Sequence, residues 1–271
     1  MKFFILSILS IVSFSYSFGQ AFYKSSNKKE FENLMSNGLV YFPSSNNIID
    51  SAYLAALKNN WDVTPVEVYD GSDNSVQNKT TIIEANVHSG PVFSLVPVNS
   101  LMNEDSTFSK YLTIGYFYRD GFTQSDSKEK KYDFIDLSIA ALNDVVSVVN
   151  EQQISSLGAG LYKKIHKAIL PKSKVLKEKT LLIIGWTKNF VSLSALEKHG
   201  IKYKLLTEAE YFDLDDDEKS TCCLMYFANR TFVDIAIFDL ENNDLIYTKH
   251  FTSDKRKFNG SDIKRMVGAW N

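Results

Sequence analysis

Four histidines are the first residues whose chemistry could serve a site, because imidazole is a common general acid, general base and metal ligand. They are His88, His166, His199 and His250, and they lie far apart in the chain. No two have the His-x-x-x-His spacing that would place both rings on one helix face, so a metal site would have to be assembled by folding. No Gly-x-Ser-x-Gly sequence presents a nucleophilic serine. The sequence therefore predicts no catalytic residue, no metal ligand and no cofactor, and it favours a non-catalytic protein.

Two short segments suggest chemistry of other kinds. The acidic run 213–218 has Glu218 where a calcium loop of the EF-hand type needs glycine, and Leu224 where that loop needs glutamate. We interpret the run as a solvated acidic turn, with a weak, irregular calcium site as the alternative. The segment 185–188 follows a buried-type strand, and its backbone N–H groups could hold an anion. It lacks the spacing of a phosphate loop.

The two cysteines, Cys222 and Cys223, are adjacent in an apolar run. Neighbouring residues of a strand point to opposite faces, so a disulfide between them would require a strained ring. We interpret them as two buried thiols, since free cysteine behaves as a small hydrophobic residue. A vicinal disulfide formed in an oxidising compartment is the alternative.

The amino-terminal residues have the pattern of a secretory signal peptide. One positive charge precedes the apolar run 3–14, and the small residues Ser17 and Gly19 precede the expected cleavage site before Gln20. The run is shorter than the roughly 18 to 20 apolar residues that cross a membrane. We therefore predict an exported protein, periplasmic, outer-membrane-associated or extracellular, with no transmembrane segment once the signal peptide 1–19 is removed.

Composition indicates a folded protein with one large core or two small ones. Of the 271 residues, 44% are hydrophobic and 23% are charged, and the formal net charge is −2. The lysines and arginines are scattered along the sequence, without the basic stripe that neutralises phosphates. We therefore predict no nucleic-acid partner.

The hydrophobic patterns predict an α/β fold with a tendency towards α+β. Two similar mixed-sheet α/β halves, 20–131 and 180–271, are joined by a helical connection, 132–179. The predicted helices are 28–37, 48–60, 134–151, 154–169, 190–199, 208–212 and 261–270, and the predicted strands are 39–42, 63–69, 80–84, 92–98, 111–118, 180–185, 201–206, 221–227, 232–239 and 244–251.

The two halves share an order of elements. Residues 39–69 run strand, capped helix, strand, and residues 181–206 do the same, and each segment precedes a polar stretch and then three strands. This agreement suggests an internal duplication. The alternative is a coincidence between two common α/β arrangements.

One stretch near the end of the chain resembles a known family. Residues 233–247 look like the closing hairpin of the anticodon-binding-like α/β domain, which occurs in the periplasmic Tol translocation protein and in curli-secretion-type envelope lipoproteins. The preceding order of strand, helix, strand and short helix is also similar, so the resemblance covers roughly 180–251. The chain differs in having Asn243 where the turn glycine is usual and in lacking a lipid-bearing cysteine. The resemblance implies a non-catalytic module that docks other envelope proteins.

These observations lead to one predicted function and two alternatives. We predict an exported accessory or binding protein that docks other envelope or outer-membrane proteins through sheet edges and exposed aromatic residues. A secreted hydrolase acting on a glycan or peptide is the first alternative, and it predicts a deep pocket that gathers His88 or His199 with carboxylates. A ligand sensor is the second, and it predicts a cleft lined from both halves.

Overall fold

The computed structural model describes residues 28–44, 46–71, 74–87, 90–98, 133–152, 161–229, 233–251 and 257–270. The predicted signal peptide 1–19, the predicted strand 111–118 and His88 lie outside the described residues. The chain has an α/β fold with two mixed sheets, as the sequence predicts. No helix in these ranges combines the length and the apolar character that crossing a membrane requires.

Helices occur in both halves and in the connection between them. In the described ranges they are α1 Lys28–Asn37, α2 Asn47–Asn60, α3 Asp133–Glu151, α4 Leu161–Ile169, α5 Leu193–Lys198, α6 Glu208–Phe212, α7 Asp216–Ser220 and α8 Gly260–Gly268, with 3₁₀ segments at Asn74–Asn78, Leu170–Lys177 and Gly185–Phe190.

The first sheet, here the N-sheet, contains four strands in the order β2-β1-β3-β4. The central strand β1 is parallel to both β2 and β3, and β3 pairs with β4 in an antiparallel hairpin. The first strand of the chain therefore lies between the second and the third. The strands are β1 Leu39–Tyr41, β2 Val66–Val68, β3 Thr80–Val87 and β4 Gly90–Pro97.

The second sheet, here the C-sheet, contains five strands in the order β6-β5-β7-β8-β9. Strand β5 is parallel to β6 and β7, and β7, β8 and β9 follow one another in antiparallel pairs. Its first four strands thus repeat the order and directions of the N-sheet, while the duplication that would explain this likeness stays a hypothesis. The strands are β5 Thr180–Ile184, β6 Tyr203–Leu206, β7 Cys222–Asn229, β8 Val233–Asp239 and β9 Asp244–Phe251.

Local sequence signals determine where several helices begin. The side chain of Asn46 accepts hydrogen bonds from the backbone N–H groups of Ile48 and Ile49 at the start of α2. Thr207 and Glu210 form a capping box at the start of α6. These side chains satisfy N–H groups that the first turn of a helix leaves without an internal partner.

Several segments differ from the sequence prediction; the strand predicted over 63–69, for example, is reduced to Val66–Val68. The acidic run 213–218 is not a simple turn, because Asp215 caps α7 and forms a second capping box with Glu218. Carboxylates in a first helical turn also suit the positive end of the helix dipole. The helix predicted over 190–199 is shorter, since a 3₁₀ segment occupies Gly185–Phe190 and α5 begins at Leu193.

A single hydrophobic cluster, here the central core, joins the two sheets through the connecting helix α3. This helix packs against both α2 and β9. Its inward side chains are fully buried, so the predicted connection 132–179 contributes to the interior of the molecule. The central core includes Leu39, Tyr41 and Leu95 of the N-sheet, Ile139, Leu142 and Val145 of α3, and Leu182, Leu224 and Phe238 of the C-sheet.

The opposite face of the C-sheet carries a second cluster, here the outer core. Helices α5 and α8 cover this face. Because both faces are covered, the four residues 181–184 of β5 are all buried, as is typical of parallel strands between two layers. The outer core includes Leu181, Ile183, Met225, Ile235, Leu196, Ile263, Met266 and Trp270.

Candidate functional site

His166 makes contacts that hold two elements of the fold together. Its Nδ1 atom lies 2.5 Å from the backbone carbonyl oxygen of Thr248. The centroids of the His166 and Tyr247 rings are 5.4 Å apart, in an edge-to-face arrangement. Burial lowers the pKa of His166, the positive charges of Lys249 and Arg265 act in the same direction, and the Thr248 carbonyl opposes them. The neutral imidazole therefore serves as a hydrogen-bond donor that joins α4 to β9.

The structure does not bring the other histidines to a common site. His199 is half-buried at the end of α5 and lines none of the three grooves described below. His250 is in β9, and His88 is outside the described residues. Within the described residues, no group of three or more histidines, cysteines and carboxylates could hold a metal ion. Among the described residues, none of these three grooves gathers His199 with carboxylates.

The two cysteines are free thiols on opposite faces of β7. Cys222 is half-buried against the central core, and Cys223 is fully buried in the outer core. Burial raises the pKa of the Cys223 thiol, and the nearby Asp239 carboxylate adds to this effect. The two sulfurs are not bonded to each other. The interpretation as buried thiols holds for Cys223, whereas Cys222 is only half-buried.

Strand β6 forms one edge of the C-sheet and carries an exposed apolar side chain. It pairs with β5, and no other strand of the described chain pairs with it. Leu205 is 44% exposed. Its side chain borders an open groove of about 430 Å³. The groove is lined by Ile183, Gly185, Lys188, Leu205, Leu206, Thr207 and Glu210.

Strand β2 occupies the equivalent edge of the N-sheet. It pairs with β1 alone among the described strands, and Val68 is 52% exposed. A groove of about 610 Å³ borders this edge, with Leu54, Trp61 and Val66 among its lining residues. The charged residue in the middle of the strand, Glu67, forms an ion pair of 2.6 Å with Lys79.

The two edges account for most of the large apolar side chains that the described chain exposes to solvent. Three such residues are strongly exposed, namely Val68, Leu205 and Ile48 at the start of α2. An unpaired edge presents a row of backbone N–H and C=O groups that can bind a further strand. The combination of free backbone groups, an exposed apolar side chain and an adjacent groove makes both edges candidate binding sites.

A small polar cleft lies between the two halves. It measures about 190 Å³ and is lined by the end of α2, by α3 and by the turn between β8 and β9. Asn143 accepts a hydrogen bond from the backbone N–H of Asp62 at 3.0 Å and donates one to its carboxylate at 2.8 Å. Asn60 donates to Asp136 at 3.0 Å and accepts from Asn243 at 3.3 Å. These groups therefore bind one another across the cleft.

Asp144 continues the same polar contact between the halves. Its carboxylate accepts a hydrogen bond from the backbone N–H of Leu245 at 2.7 Å and forms an ion pair with Lys172 at 2.6 Å. The sensor alternative predicted a cleft lined from both halves, and such a cleft exists. Its side chains are engaged in holding α3 against α2 and the β8–β9 turn, which leaves the sheet edges as the stronger candidate site.

The sequence predicted the strands of both edges but not their position in the sheets. Residues 63–69 and 201–206 have strand patterns, and nothing in those patterns names the neighbours of each strand. The shortness of β2 and β6 and the central charges of Glu67 and Lys204 are the available signals, because short strands with charged side chains are typical of sheet edges.

Comparisons with known proteins give no further assignment. The chain matches no protein-family model, no curated protein and no solved structure. The resemblance of residues 180–251 to the anticodon-binding-like domain therefore stays a prediction.

Proposed function

We propose that this protein is exported and docks another envelope protein by binding an extended segment of that partner along β6. The observation that carries this proposal is Leu205, an apolar side chain exposed on an unpaired edge strand beside a groove. The signal-peptide pattern of residues 1–19 supports export to the envelope. No catalytic role for the partner or for this chain is required.

The geometry of β6 suits the addition of a partner strand. Backbone hydrogen bonds would supply much of the affinity, and pockets for alternate side chains would supply specificity. Leu205 shares a sheet face with its register partner Ile183, and both residues line the groove. An apolar side chain of the bound segment would therefore pack beside Leu205.

Charges of both signs surround the edge. Lys188 and Glu210 both line the groove, and Lys204 is exposed on β6 itself. Like charges opposed across a strand pair destabilise it, whereas opposite charges stabilise it. Lys204 also protects the edge from indiscriminate pairing, since a charged edge residue is a common defence against aggregation.

A photo-crosslinking experiment identifies the partner segment. A photoreactive phenylalanine derivative replaces Leu205 in the producing cells, and mass spectrometry of the crosslinked product locates the segment that lies on β6. We expect a defined, extended segment with an apolar side chain beside Leu205. The same replacement at Val68 tests the equivalent edge of the N-sheet and is expected to give a different product or none.

A synthetic peptide of the crosslinked segment then tests the binding mode. We expect Leu205→Lys to weaken binding by about tenfold or more, since it removes an apolar contact from the edge, while Val68→Lys leaves binding unchanged. Methylation of alternate backbone amides of the peptide removes the donors that a strand pair needs. Full binding of the methylated peptide, or equal binding by both variants, would show that β6 is not the docking edge.

A further inference from the structure

A second surface, separate from the β6 edge, is strongly basic. Helix α4, the 3₁₀ segment Leu170–Lys177 and helix α8 are neighbours in the fold. The indole N–H of Trp270, just after α8, donates a hydrogen bond to the Ser173 hydroxyl of the 3₁₀ segment at 2.9 Å. Burial lowers the pKa of His166 in α4, and the positive charge of Arg265 in α8 adds to this effect. Apart from Lys172, which forms an ion pair with Asp144, the exposed cations of these three elements, here the basic surface, are Lys163, Lys164, Lys167, Lys174, Lys177, Lys264 and Arg265.

The charges of the basic surface lack carboxylate partners in the described chain, whereas neighbouring lysines have them. Lys172 pairs with Asp144 at 2.6 Å, and Lys179 pairs with Asp239 at 2.5 Å. Lys249 pairs with the buried Asp262. None of the ion pairs among the described residues includes a member of the basic surface. Folding therefore gathers uncompensated positive charge that appears scattered along the sequence.

Exposed carboxylates are concentrated in another part of the C-sheet. Asp215, Asp216 and Asp217 lie at the start of α7, in the segment that connects β6 to β7. Helix α7 contacts β7, whereas helix α4 contacts β9, the edge strand at the opposite end from β6. These carboxylates therefore lie away from the basic surface and do not neutralise it.

We infer that the basic surface binds an anionic lipid surface, a property that goes beyond the proposed docking at β6. The cations are spread over three elements, and none of the three grooves described above lies among them. Six of the seven are lysines, which act as point charges rather than as bidentate forks for individual phosphates. This arrangement suits a broad layer of charge more than a single bound group.

Magnitudes also favour a lipid surface over a second copy of the chain. Each lysine or arginine near an anionic bilayer strengthens binding about fivefold, so several act together to give appreciable affinity. An exposed ion pair between two proteins contributes roughly one- to fivefold and must offset the entropy lost on association. The carboxylates of α6 and α7 would therefore hold a second copy only weakly.

Vesicle co-sedimentation tests the inference with the full exported chain. The probes are vesicles of phosphatidylcholine with about 30% phosphatidylglycerol, and vesicles of phosphatidylcholine alone. We expect binding to the anionic vesicles only, and its loss at about 1 M salt, where the screening length is roughly 3 Å. Lys163→Glu, Lys164→Glu and Lys167→Glu together should weaken binding by about a hundredfold or more.

A matched control variant distinguishes the effect of where the lysines lie from the effect of the protein's net charge on vesicle binding. Lys58→Glu, Lys198→Glu and Lys202→Glu make the same change in net charge at exposed lysines outside the basic surface, and this variant should retain most of the binding. Thermal unfolding tests whether both variants fold. If the variant with glutamate at 163, 164 and 167 does not fold, Lys163→Gln, Lys164→Gln and Lys167→Gln replace those substitutions.

Several outcomes would overturn the inference. They are a failure to bind the anionic vesicles, equal losses in the two triple variants, and tighter binding to duplex DNA than to vesicles. Self-association that salt and the α4 variant abolish, without vesicle binding, would assign the basic surface to a second copy instead. Because the β6 peptide assay contains no lipid, its result and this one can fail independently.

Discussion

The two sheets have the same strand order but turn opposite faces towards the shared interior. In the N-sheet the helix that connects the first two strands, α2, lies on the central-core face, where Tyr53 and Leu57 are buried. In the C-sheet the equivalent helix, α5, lies on the outer face, where Ala195 and Leu196 are buried. The comparison shows that topology determines the neighbours of each strand without determining which face meets the rest of the chain.

The difference has a counterpart in the packing around each sheet. Residues on both faces of β5 belong to large clusters, Leu182 to the central core and Leu181 to the outer core. Among the described residues of the N-sheet, the face opposite the central core carries a smaller cluster of Val40, Val76 and Val98. In the part of the chain that the structure describes, the C-sheet therefore packs between two layers of helices, and the N-sheet packs chiefly on the layer it shares.

The largest expected effect comes from a cavity in the shared layer. Leu142 of α3 is fully buried in the central core, so Leu142→Ala should lower the free energy of unfolding by about 2 to 5 kcal/mol. Since both sheets pack on this core, hydrogen exchange should accelerate in both. Denaturant unfolding and exchange measured by mass spectrometry check these expectations.

Ile263→Ala is the matched control, because Ile263 is fully buried in the outer core. It should cost a similar free energy, about 2 to 5 kcal/mol, while local exchange rises mainly in the C-sheet. Unchanged exchange in the N-sheet of the Leu142→Ala protein would mean that the two halves unfold independently.

Two glycines provide a second comparison between the halves. Gly38 precedes β1 and Gly200 lies between α5 and β6, and both have a positive φ, 77° and 71°. A Cβ atom at Gly38 would lie 2.7 Å from the carbonyl oxygen of Pro65, whereas one at Gly200 would meet nothing within 4 Å. The first position therefore demands glycine for conformation and for space, and the second for conformation alone.

We expect Gly38→Ala to cost roughly 2 to 4 kcal/mol, from the left-handed backbone and from displacement of the β2 approach. Gly200→Ala should cost about 1 to 2 kcal/mol, from the backbone alone. Thermal and denaturant unfolding of the two variants give the comparison. Equal costs would show that the contact of Gly38 with Pro65 relaxes freely.

The smallest expected effect concerns pH and the contact between α4 and β9. The folded-state pKa of His166 is lowered, so below about pH 6.5 the unfolded chain takes up a proton that the folded chain resists. Stability supplied by neutral His166 is therefore present above that pH and is lost as the pH falls. His166→Asn keeps an N–H donor for the Thr248 carbonyl and removes the titration.

Unfolding midpoints at about pH 7.5 and pH 5.5 should thus differ less in His166→Asn than in the parent protein. His199→Asn introduces the same side chain at the end of α5, away from β9, and serves as the control. A pH dependence that both replacements reduce equally would contradict the assignment to His166.

Much of the fold follows from patterns that are local in sequence. The apolar run of β5, the helical spacing of α3 and the capping box of Thr207 and Glu210 each predict their element correctly, because short-range contacts determine them. Asp215 with Glu218 gives the same capping signal, but the many neighbouring carboxylates favoured the interpretation as a solvated turn instead of a helix. A local signal was therefore present there, and its interpretation was wrong.

The candidate sites depend on contacts that no local pattern contains. Strand order decides that Leu205 and Val68 lie at edges, and this order is set by pairing between distant segments. The basic surface arises because α4 and α8 both pack against the 3₁₀ segment Leu170–Lys177, although Lys167 and Lys264 are far apart in the sequence. Sequence periodicity identifies the elements, whereas tertiary packing identifies which side chains they hold in common.

The adjacent thiols of β7 can serve as built-in chemical probes of the hydrophobic core. Cys222 packs against the central core and Cys223 lies in the outer core, although the two residues are adjacent on a single peptide. Cys222 is half-buried, whereas burial raises the pKa of the Cys223 thiol and keeps it inert while the outer core is closed. Alkylation of Cys223, located by fragmenting that peptide in the mass spectrometer, therefore reports when the outer core opens, and Cys222 on the same peptide provides an internal reference.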